Sequence, residues 1–346
     1  MEGAITRMKK RTYIALFFFG AALTFLLIFM KLPYYVTMPG SAQSLKPLVH
    51  VENGDRDKGT FMLTTVRMGR ANVIAYLFAH IRPFYELHPV EEIKQEGESD
   101  KEYTMRQLEL MEQSKEAAIV VAYRHAGKPV SYEPHGVYVM SVLPDMPAAG
   151  RLETGDRIVA IDGKPLGTSE QMVNYIRGKQ AGDRVRVAFI RGRKRQETEL
   201  ELKPFRQHPN QVGLGVTLMT DYDVRTDPPV DVESEQIGGP SAGLMFSLEI
   251  YNQLVDEDIT KGHKIAGTGT IDLDGNVGPI GGVSQKVVAA DREGAEVFFA
   301  PNEHGAPTSN YREAVRTAKK IGTHMKIVPV DTFDEAVRYL RSMPET

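Results

Sequence analysis

Gly238-Gly239-Pro240-Ser241-Ala242-Gly243 is a serine flanked by glycines, where the helical apolar spacing of residues 241–254 begins. Glycines let the backbone turn tightly and let another chain approach it closely. Unpaired N–H groups at a helix start can hold a developing negative charge. Two interpretations follow. Ser241 is a nucleophile with an oxyanion site at the backbone of Gly239, Pro240 and Ala242, or it is an ordinary N-cap residue, the usual role of serine there.

Lys286, 45 positions after Ser241, favours the first interpretation. A lysine is a general base only when neutral, so its pKa must fall several units below ~10.4. Lys286 lies in the first turn of a helix predicted over 283–292, with valines around it and no acidic residue between Gly275 and Ala290. The helix dipole and burial both lower a lysine pKa there, whereas a solvated surface lysine fits these surroundings less well. We therefore predict a Ser241–Lys286 dyad, with the Thr268 hydroxyl orienting the amine.

Residues 119–204 form a second recognisable unit. The segment 136–142 alternates as a strand does, 147–150 is a small-residue turn, and 155–163 reads as a Gly-Asp turn, a strand and an Asp-Gly hairpin turn. Thr168 and Gln171 form a capping box that opens a helix ending near Arg177. This order resembles a PDZ domain of the bacterial protease type. The alternative is a small α+β domain with Gly-rich turns and no ligand.

The PDZ resemblance implies a peptide-binding groove. A strand and the helix after Thr168 would face each other across an apolar cleft with an open strand edge. An extended peptide adds to such an edge as a further strand, and the loop before Val137 would receive a terminal carboxylate. The predicted groove residues are Gly136, Val137, Val139, Met172 and Ile176.

The region around the proposed dyad also resembles a known family. The stretches 240–243, 268–271, 278–283 and 286–290 are similar to the proteolytic domain of Lon-type serine proteases. With the segments before it, the chain resembles the membrane-anchored PDZ-containing Lon-type proteases of Gram-positive bacteria (the YlbL-like group). The resemblance implies a Lon-type α/β catalytic fold with Ser241 as nucleophile, Lys286 as base and Thr268 as the supporting hydroxyl. Lon proteins assemble as rings, so a homo-oligomer is left open.

The chain departs from Lon proteases in two respects. It has no G-x-x-x-x-G-K-[ST] phosphate loop, so we expect an ATP-independent enzyme acting on extended peptides or on small secreted or membrane proteins. The Lys-Asp pair usual in Lon before Gly239 is replaced by Gln236-Ile237-Gly238. This difference leaves the preference of the subsites open and does not affect the predicted dyad. We expect neither a cofactor nor a metal.

The N-terminal sequence predicts a membrane anchor. Residues 12–30 carry no charge, and nineteen helical residues span about 28 Å, close to the hydrocarbon thickness of a bilayer. Four basic residues precede this segment and few follow it, so the positive-inside rule leaves 1–11 as a cytoplasmic tail and the catalytic domain outside the cell membrane. A cleaved signal peptide is the alternative, given the small residues at 40–42.

Composition narrows the remaining choices. The 346 residues carry a net charge of −3, which gives no electrostatic case for nucleic acid. The chain has no cysteine, which excludes disulfides, thiolate zinc sites and a cysteine nucleophile. The predicted fold class is mixed α/β and multidomain. Its segments are an extracytoplasmic part of unknown role (32–118), the PDZ domain (119–204), a polar linker (204–210) and the catalytic domain (211–346).

Rival functions make different demands on the sequence. A carboxyl-terminal-processing protease also has a PDZ domain and a Ser–Lys dyad, but usually inserts the PDZ within the catalytic region, whereas here the PDZ is predicted to precede it. An HtrA-type enzyme needs a His–Asp–Ser triad with the catalytic domain before the PDZ, whereas here the predicted order is reversed and no Gly-Asn-Ser-Gly-Gly motif exists. A zinc protease needs H-E-x-x-H, which is absent. The non-enzymatic alternative is a membrane-tethered PDZ scaffold with an inactive protease domain.

Overall fold

A computed structural model describes residues 2–54, 58–94, 98–205, 211–234 and 237–346. Residues 206–210 of the predicted linker and Gln236 of the predicted subsite difference lie outside the described residues. The described helices are α1 (Glu2–Phe29), α2 (Val73–Ile81), α3 (Val90–Ile93), α4 (Asp100–His125), α5 (Ser169–Arg177), α6 (Gly243–Leu254), α7 (Val283–Arg292), α8 (Asn310–Ile321) and α9 (Phe333–Ser342).

The strands are short apart from β1, β3, β5 and β12. In chain order the described strands are β1 (Lys31–Ser44), β2 (Val49–Val51), β3 (Thr60–Asn72), β4 (Glu86–Pro89), β5 (Val130–Val142), β6 (Arg157–Ile161), β7 (Lys164–Pro165), β8 (Arg184–Arg191), β9 (Lys194–Glu201), β10 (Lys203–Pro204), β11 (Val212–Gly213), β12 (Val216–Thr226), β13 (Val230–Val232), β14 (Lys264–Gly267), β15 (Thr270–Ile271), β16 (Val277–Gly278), β17 (Val297–Pro301) and β18 (Lys326–Val330).

The first of two six-stranded sheets is covered by helices on both faces. Its strand order is β18-β17-β14-β3-β1-β4, with β18, β17, β14 and β3 parallel and the last two strands antiparallel. All five residues of β17 are buried, as expected of a parallel strand enclosed on both sides. Phe298 packs with α7 and α8, whereas Phe299 packs with α4, α6 and α9. The predicted α/β class is therefore confirmed for this part of the chain.

The segment to which the sequence assigned no role is part of this sheet. Strand β3 pairs in parallel with β14, Leu63 opposite Gly267, and β1 pairs antiparallel with β3. Helix α4 packs against α6, since Met111 and Tyr123 share one apolar cluster with Phe246. The predicted boundary between residues 118 and 119 thus runs through the interior of α4. Residues 31–125 supply strands and a helix to the fold of the predicted catalytic domain.

The second large sheet forms the predicted PDZ unit. Its order is β12-β5-β6-β8-β9, and α5 begins at the predicted capping box, where Thr168 accepts from the backbone N–H of Gln171. The unit leaves the catalytic fold after α4 and returns to it at β13, which pairs with β2. The prediction that the PDZ precedes the whole catalytic domain is wrong, because strand pairing joins segments far apart in the sequence. The PDZ is inserted, so domain order no longer argues against a carboxyl-terminal-processing protease.

The strand edge predicted to be open is occupied. Strand β12 pairs with β5 from Val216 opposite Val142 to Thr226 opposite Val130. Val137, Val139 and Met172 are fully buried in the core of the unit, and Ile176 is 9% exposed. The predicted groove residues therefore belong to the core of the unit, and the edge of its sheet on this side is formed by β12.

Helix α1 covers the predicted anchor, residues 12–30. Over the part of the chain that the structure describes, no helix combines the length and the apolar character needed to cross a bilayer. The predicted transmembrane span is thus not supported by the structure.

Candidate active site

Ser241 sits in a tight turn immediately before a buried helix. Pro240–Ala242 form one turn of 3-10 helix, and α6 follows from Gly243, so the helix predicted from residue 241 starts with this tighter turn. Gly239 has φ +85°, a conformation that residues with a Cβ rarely adopt. The lack of a side chain at Gly239 lets the chain turn sharply before the serine. Ser241 is half-exposed, whereas the first residues of α6 are buried.

The structure brings the three predicted side chains together. The Lys286 Nζ lies 2.6 Å from the Ser241 Oγ and 2.9 Å from the Thr268 Oγ1. The Thr268 hydroxyl donates its own proton to the Ser241 carbonyl oxygen at 2.9 Å. Thr268 can therefore only accept from the lysine. A neutral Lys286 that donates one N–H to Thr268 keeps its lone pair directed at the Ser241 hydroxyl.

Burial prepares Lys286 to act as a base. Its side chain lies in the first turn of α7 and the residue is 2% exposed. Removal from water disfavours the ammonium form and lowers the pKa of Lys286 to about 7. At neutral pH a large share of the molecules thus carries a free amine beside Ser241, which general-base catalysis requires.

Two hydrogen bonds from α4 hold the turn at residues 239–242 that carries Ser241, the nucleophile turn. The Gly239 N–H donates to the Gln107 carbonyl oxygen at 2.8 Å, and the Ser114 Oγ donates to the Pro240 carbonyl oxygen at 2.7 Å. The Gly239 amide is thus engaged, and proline has no N–H, so neither supplies the predicted oxyanion donor. Of the predicted backbone set, Ala242 retains that role, together with the amide of Ser241 itself.

No local pattern selects Gln107 or Ser114 as site residues. Both lie on α4, more than a hundred residues before the serine. Their contacts with the nucleophile turn depend on how α4 crosses α6, which is a tertiary property. A local motif search has no signal with which to find them.

The dyad opens onto a cleft of about 660 Å³. One wall is β3, which pairs with β14 only through residues 60–63. From Thr64 onward, none of the described strands pairs with β3 on that side, so it has an open edge beside the dyad. Arg67 and Lys286 are the charged residues among the described ones that line the cleft. The lining residues are Ser41, Gln43, Leu63, Thr64, Thr65, Val66, Arg67, Gln107, Ile237, Gly238, Gly239, Pro240, Ser241, Ala242, Thr270, Pro279, Ile280, Gly281 and Lys286.

Comparisons with known proteins agree with this geometry. Residues 106–202 match the PDZ domain family, and residues 201–341 match the Lon protease (S16) C-terminal proteolytic domain. The chain therefore carries a PDZ domain and a Lon-type proteolytic domain, which is a serine peptidase domain. The first match also takes in the C-terminal part of α4, which the structure packs against the catalytic helix α6.

Curated relatives match over part of the chain. A Lon protease of Campylobacter concisus is 37% identical over 101 residues, which is 29% of this chain and 12% of the relative. A Lon protease of Mycoplasma mobile is 37% identical over 97 residues, 28% of this chain and 11% of the relative. The chain thus corresponds to only about an eighth of the length of these relatives.

Solved structures match about a quarter of the chain. A solution structure from Geobacillus thermodenitrificans is 77% identical, with coverage of 24% of this chain and 94% of that one, at a TM-score of 0.22. The PDZ domain of an SdrC-like protein from Listeria monocytogenes is 38% identical, with coverage of 24% and 86% and a TM-score of 0.22.

Proposed function

We propose that the protein is a serine endopeptidase that works without ATP and cleaves extended peptides or unfolded protein segments. The observation that carries the proposal is the 2.6 Å contact between the Ser241 Oγ and the buried Lys286 Nζ. No cluster of described His, Asp or Glu residues could hold a metal ion, so the residues in place point to nucleophilic catalysis by the serine.

The open edge of β3 is the proposed substrate-binding surface. An extended peptide laid along residues 64–67 would make backbone hydrogen bonds as a further strand, and its scissile carbonyl would face Ser241. Such binding selects for extended chain rather than for one side chain. It suits an enzyme that has no ATP-driven unfolding module in the described chain.

The reaction then follows from the dyad. Ser241 Oγ attacks the carbonyl carbon as its proton passes to the Lys286 Nζ. The amides of Ser241 and Ala242 are the donors available to the oxyanion. The protonated lysine gives its proton to the leaving amine, and the C–N bond breaks. Water, deprotonated by Lys286, attacks the acyl-enzyme and restores the Ser241 hydroxyl.

The decisive experiment is cleavage of an unfolded model protein by the purified chain, with ATP omitted. Ser241→Ala and Lys286→Ala should each abolish cleavage, whereas Lys264→Ala, a control at an exposed lysine on β14, should not. Equal cleavage by all variants would refute the dyad. No cleavage by the parent would favour the PDZ scaffold with an inactive protease domain.

Location at the cell membrane, with the catalytic domain outside, is a separate proposal. It is based on the charge distribution around residues 12–30. Externally added protease should digest the catalytic domain in intact cells that lack a wall, and the chain should resist carbonate extraction. Release into the soluble fraction would rule the anchor out.

A further inference from the structure

Helix α2 is apolar around its whole circumference and is left uncovered by the described part of the chain. Its sequence contains no Asp, Glu, Lys or Arg, and none of its residues is buried. Leu77 is 57% exposed, Phe78 49% and Ile81 79%. A helix that is apolar on every side is normally enclosed by protein or by lipid. The exposed side chains of α2 therefore call for a partner outside this chain.

The structure holds α2 in a defined position. The Ala75 N–H donates to the Asn72 Oδ1 at 2.8 Å, which caps the first turn of the helix. The ring of Tyr76 lies against that of Tyr34 on β1, with 5.4 Å between the ring centroids. The apolar side chains are thus presented by a capped helix packed on the sheet, and their exposure is not that of a loose loop.

The apolar surface of α2 begins where that of α1 ends. The Asn72 Nδ2, at the start of α2, donates to the Ile28 carbonyl oxygen in the last turn of α1 at 2.9 Å. In the last two turns of α1, Phe25 is 63% exposed, Leu26 53% and Phe29 63%. Adjoining exposed apolar side chains of this size mark a site of interaction with a protein or a membrane.

The charge around α2 favours a membrane over a protein partner. The segment from Lys58 to Tyr85 contains no Asp or Glu. Its arginines, Arg67, Arg70 and Arg82, are all exposed. Basic residues next to an apolar surface are attracted by the phosphates of anionic lipids. An apolar helix with a basic surround therefore fits the surface of a bilayer that contains such lipids.

We propose that α2 lies in the boundary between the headgroups and the acyl chains of a bilayer, with Leu77, Phe78 and Ile81 in the apolar layer. Its nine residues extend about 14 Å, roughly half the hydrocarbon thickness, so the helix lies along the surface instead of crossing it. This surface is separate from the anchor proposed at residues 12–30. The inference goes beyond the proposed peptidase activity and does not depend on it.

A fluorophore at the end of α2 tests this placement. The chain has no cysteine, so Ile81→Cys and, as the matched control, Val173→Cys on α5 each take a single environment-sensitive dye. Val173 is likewise an exposed apolar residue of a helix, at 46%. Each full-length chain is reconstituted into vesicles of phosphatidylcholine and phosphatidylglycerol that contain a nitroxide-labelled lipid. Quenching should be at least about threefold stronger at position 81 than at 173, and stronger with the nitroxide near the headgroup than at the chain end.

A charged substitution guards against a dye that enters the bilayer by itself. In the chain labelled at position 81, Phe78→Glu should reduce quenching to the level seen at 173, because a carboxylate opposes burial of the helix in the apolar layer. Val173→Glu in the same labelled chain is the control and should leave quenching unchanged. Equal quenching at the two positions, or stronger quenching at 81 by the deep nitroxide, would overturn the proposal. A blue-shifted but unquenched dye at 81 would also overturn it and would place α2 against protein, such as a second copy of the chain.

Discussion

The molecule has two strand edges that could accept an extended chain, and it treats them differently. The edge of β3 beyond Leu63 is unpaired among the described strands and faces the cleft with the dyad. The edge of β5 is fully paired with β12. Unpaired backbone groups invite strand addition. The difference therefore separates an edge that is open for an extended substrate beside the dyad from one that a strand of the same chain already pairs.

The largest expected effect is at the open edge. Lys286→Met should lower the rate of peptide cleavage by at least about a thousandfold, because no base remains for Ser241. Lys264→Met, at an exposed lysine of the paired strand β14, is the control and should keep the rate of the parent. Equal losses in the two variants would contradict the role of Lys286 as the base. Steady-state cleavage assays on both variants decide this.

The same substitution should stabilise the fold. The folded pKa of Lys286 is about 7 and the model-compound value is 10.5, so folding requires the lysine to lose a proton between these pH values. Stability of the parent thus falls as pH drops from 10.5 to 7. Methionine removes a penalty on the order of 4 kcal/mol at pH 7, and the gain should shrink towards pH 10. Urea unfolding at both pH values measures it, with Lys264→Met as control.

The pH profile of cleavage tests whether the dyad at the open edge of β3 works through the neutral form of Lys286. Neutral Lys286 is the active form, so kcat/KM should rise about tenfold per pH unit below 7 and level off above it. A flat profile from pH 6 to 9 would contradict the role of Lys286.

Ser114→Ala tests the hold of α4 on the nucleophile turn. Loss of the bond to the Pro240 carbonyl should lower kcat about tenfold with KM unchanged, since the turn is less well positioned. Ser247→Ala, at a buried serine that bonds within α6, is the matched control. A KM change, or equal losses in both variants, would indicate a general structural effect.

The smallest expected effect is electrostatic. Arg67, exposed at the rim of the cleft, is four residues beyond Leu63, the last residue of β3 that pairs with β14, or roughly 13 Å along β3. Arg67→Glu should lower kcat/KM about fivefold for peptides with an acidic residue two to four positions from the scissile bond, and the effect should fade in high salt. Arg70→Glu, exposed further along β3, serves as the control.

Local features were predictable where local chemistry determines them. Helix α7 has the predicted bounds, because the helical spacing of its apolar residues stops shortly before Gly294. The contact among Ser241, Lys286 and Thr268 was predictable from the residue types. A serine nucleophile needs a neutral base, and a neutral lysine amine is oriented by a hydroxyl beside it. Strand β1 was missed because Pro33, Pro39 and Gly40 argue against a strand. The structure accommodates them in a strand with two irregularities in its pairing with β3.

Long-range pairing was the part that could not be predicted. Nothing in Val216–Thr226 shows that it joins β5 rather than the strands that follow it, since its alternation fits either sheet. The same holds for β3, which meets β14 some two hundred residues later. The engaged amide of Gly239 also depends on such a contact, with Gln107 on α4.

The chain enters and leaves the PDZ unit at neighbouring points. Val130 and Thr226 are paired, and the Asp227 N–H donates to the Pro129 carbonyl oxygen just outside them. The segment between them is thus an insert whose two ends are adjacent. We expect that a short hairpin, or another module with close termini, can replace it without changing the strand order of the catalytic sheet. Recombination between genes could thus exchange the recognition unit of such a peptidase while leaving its chemistry in place.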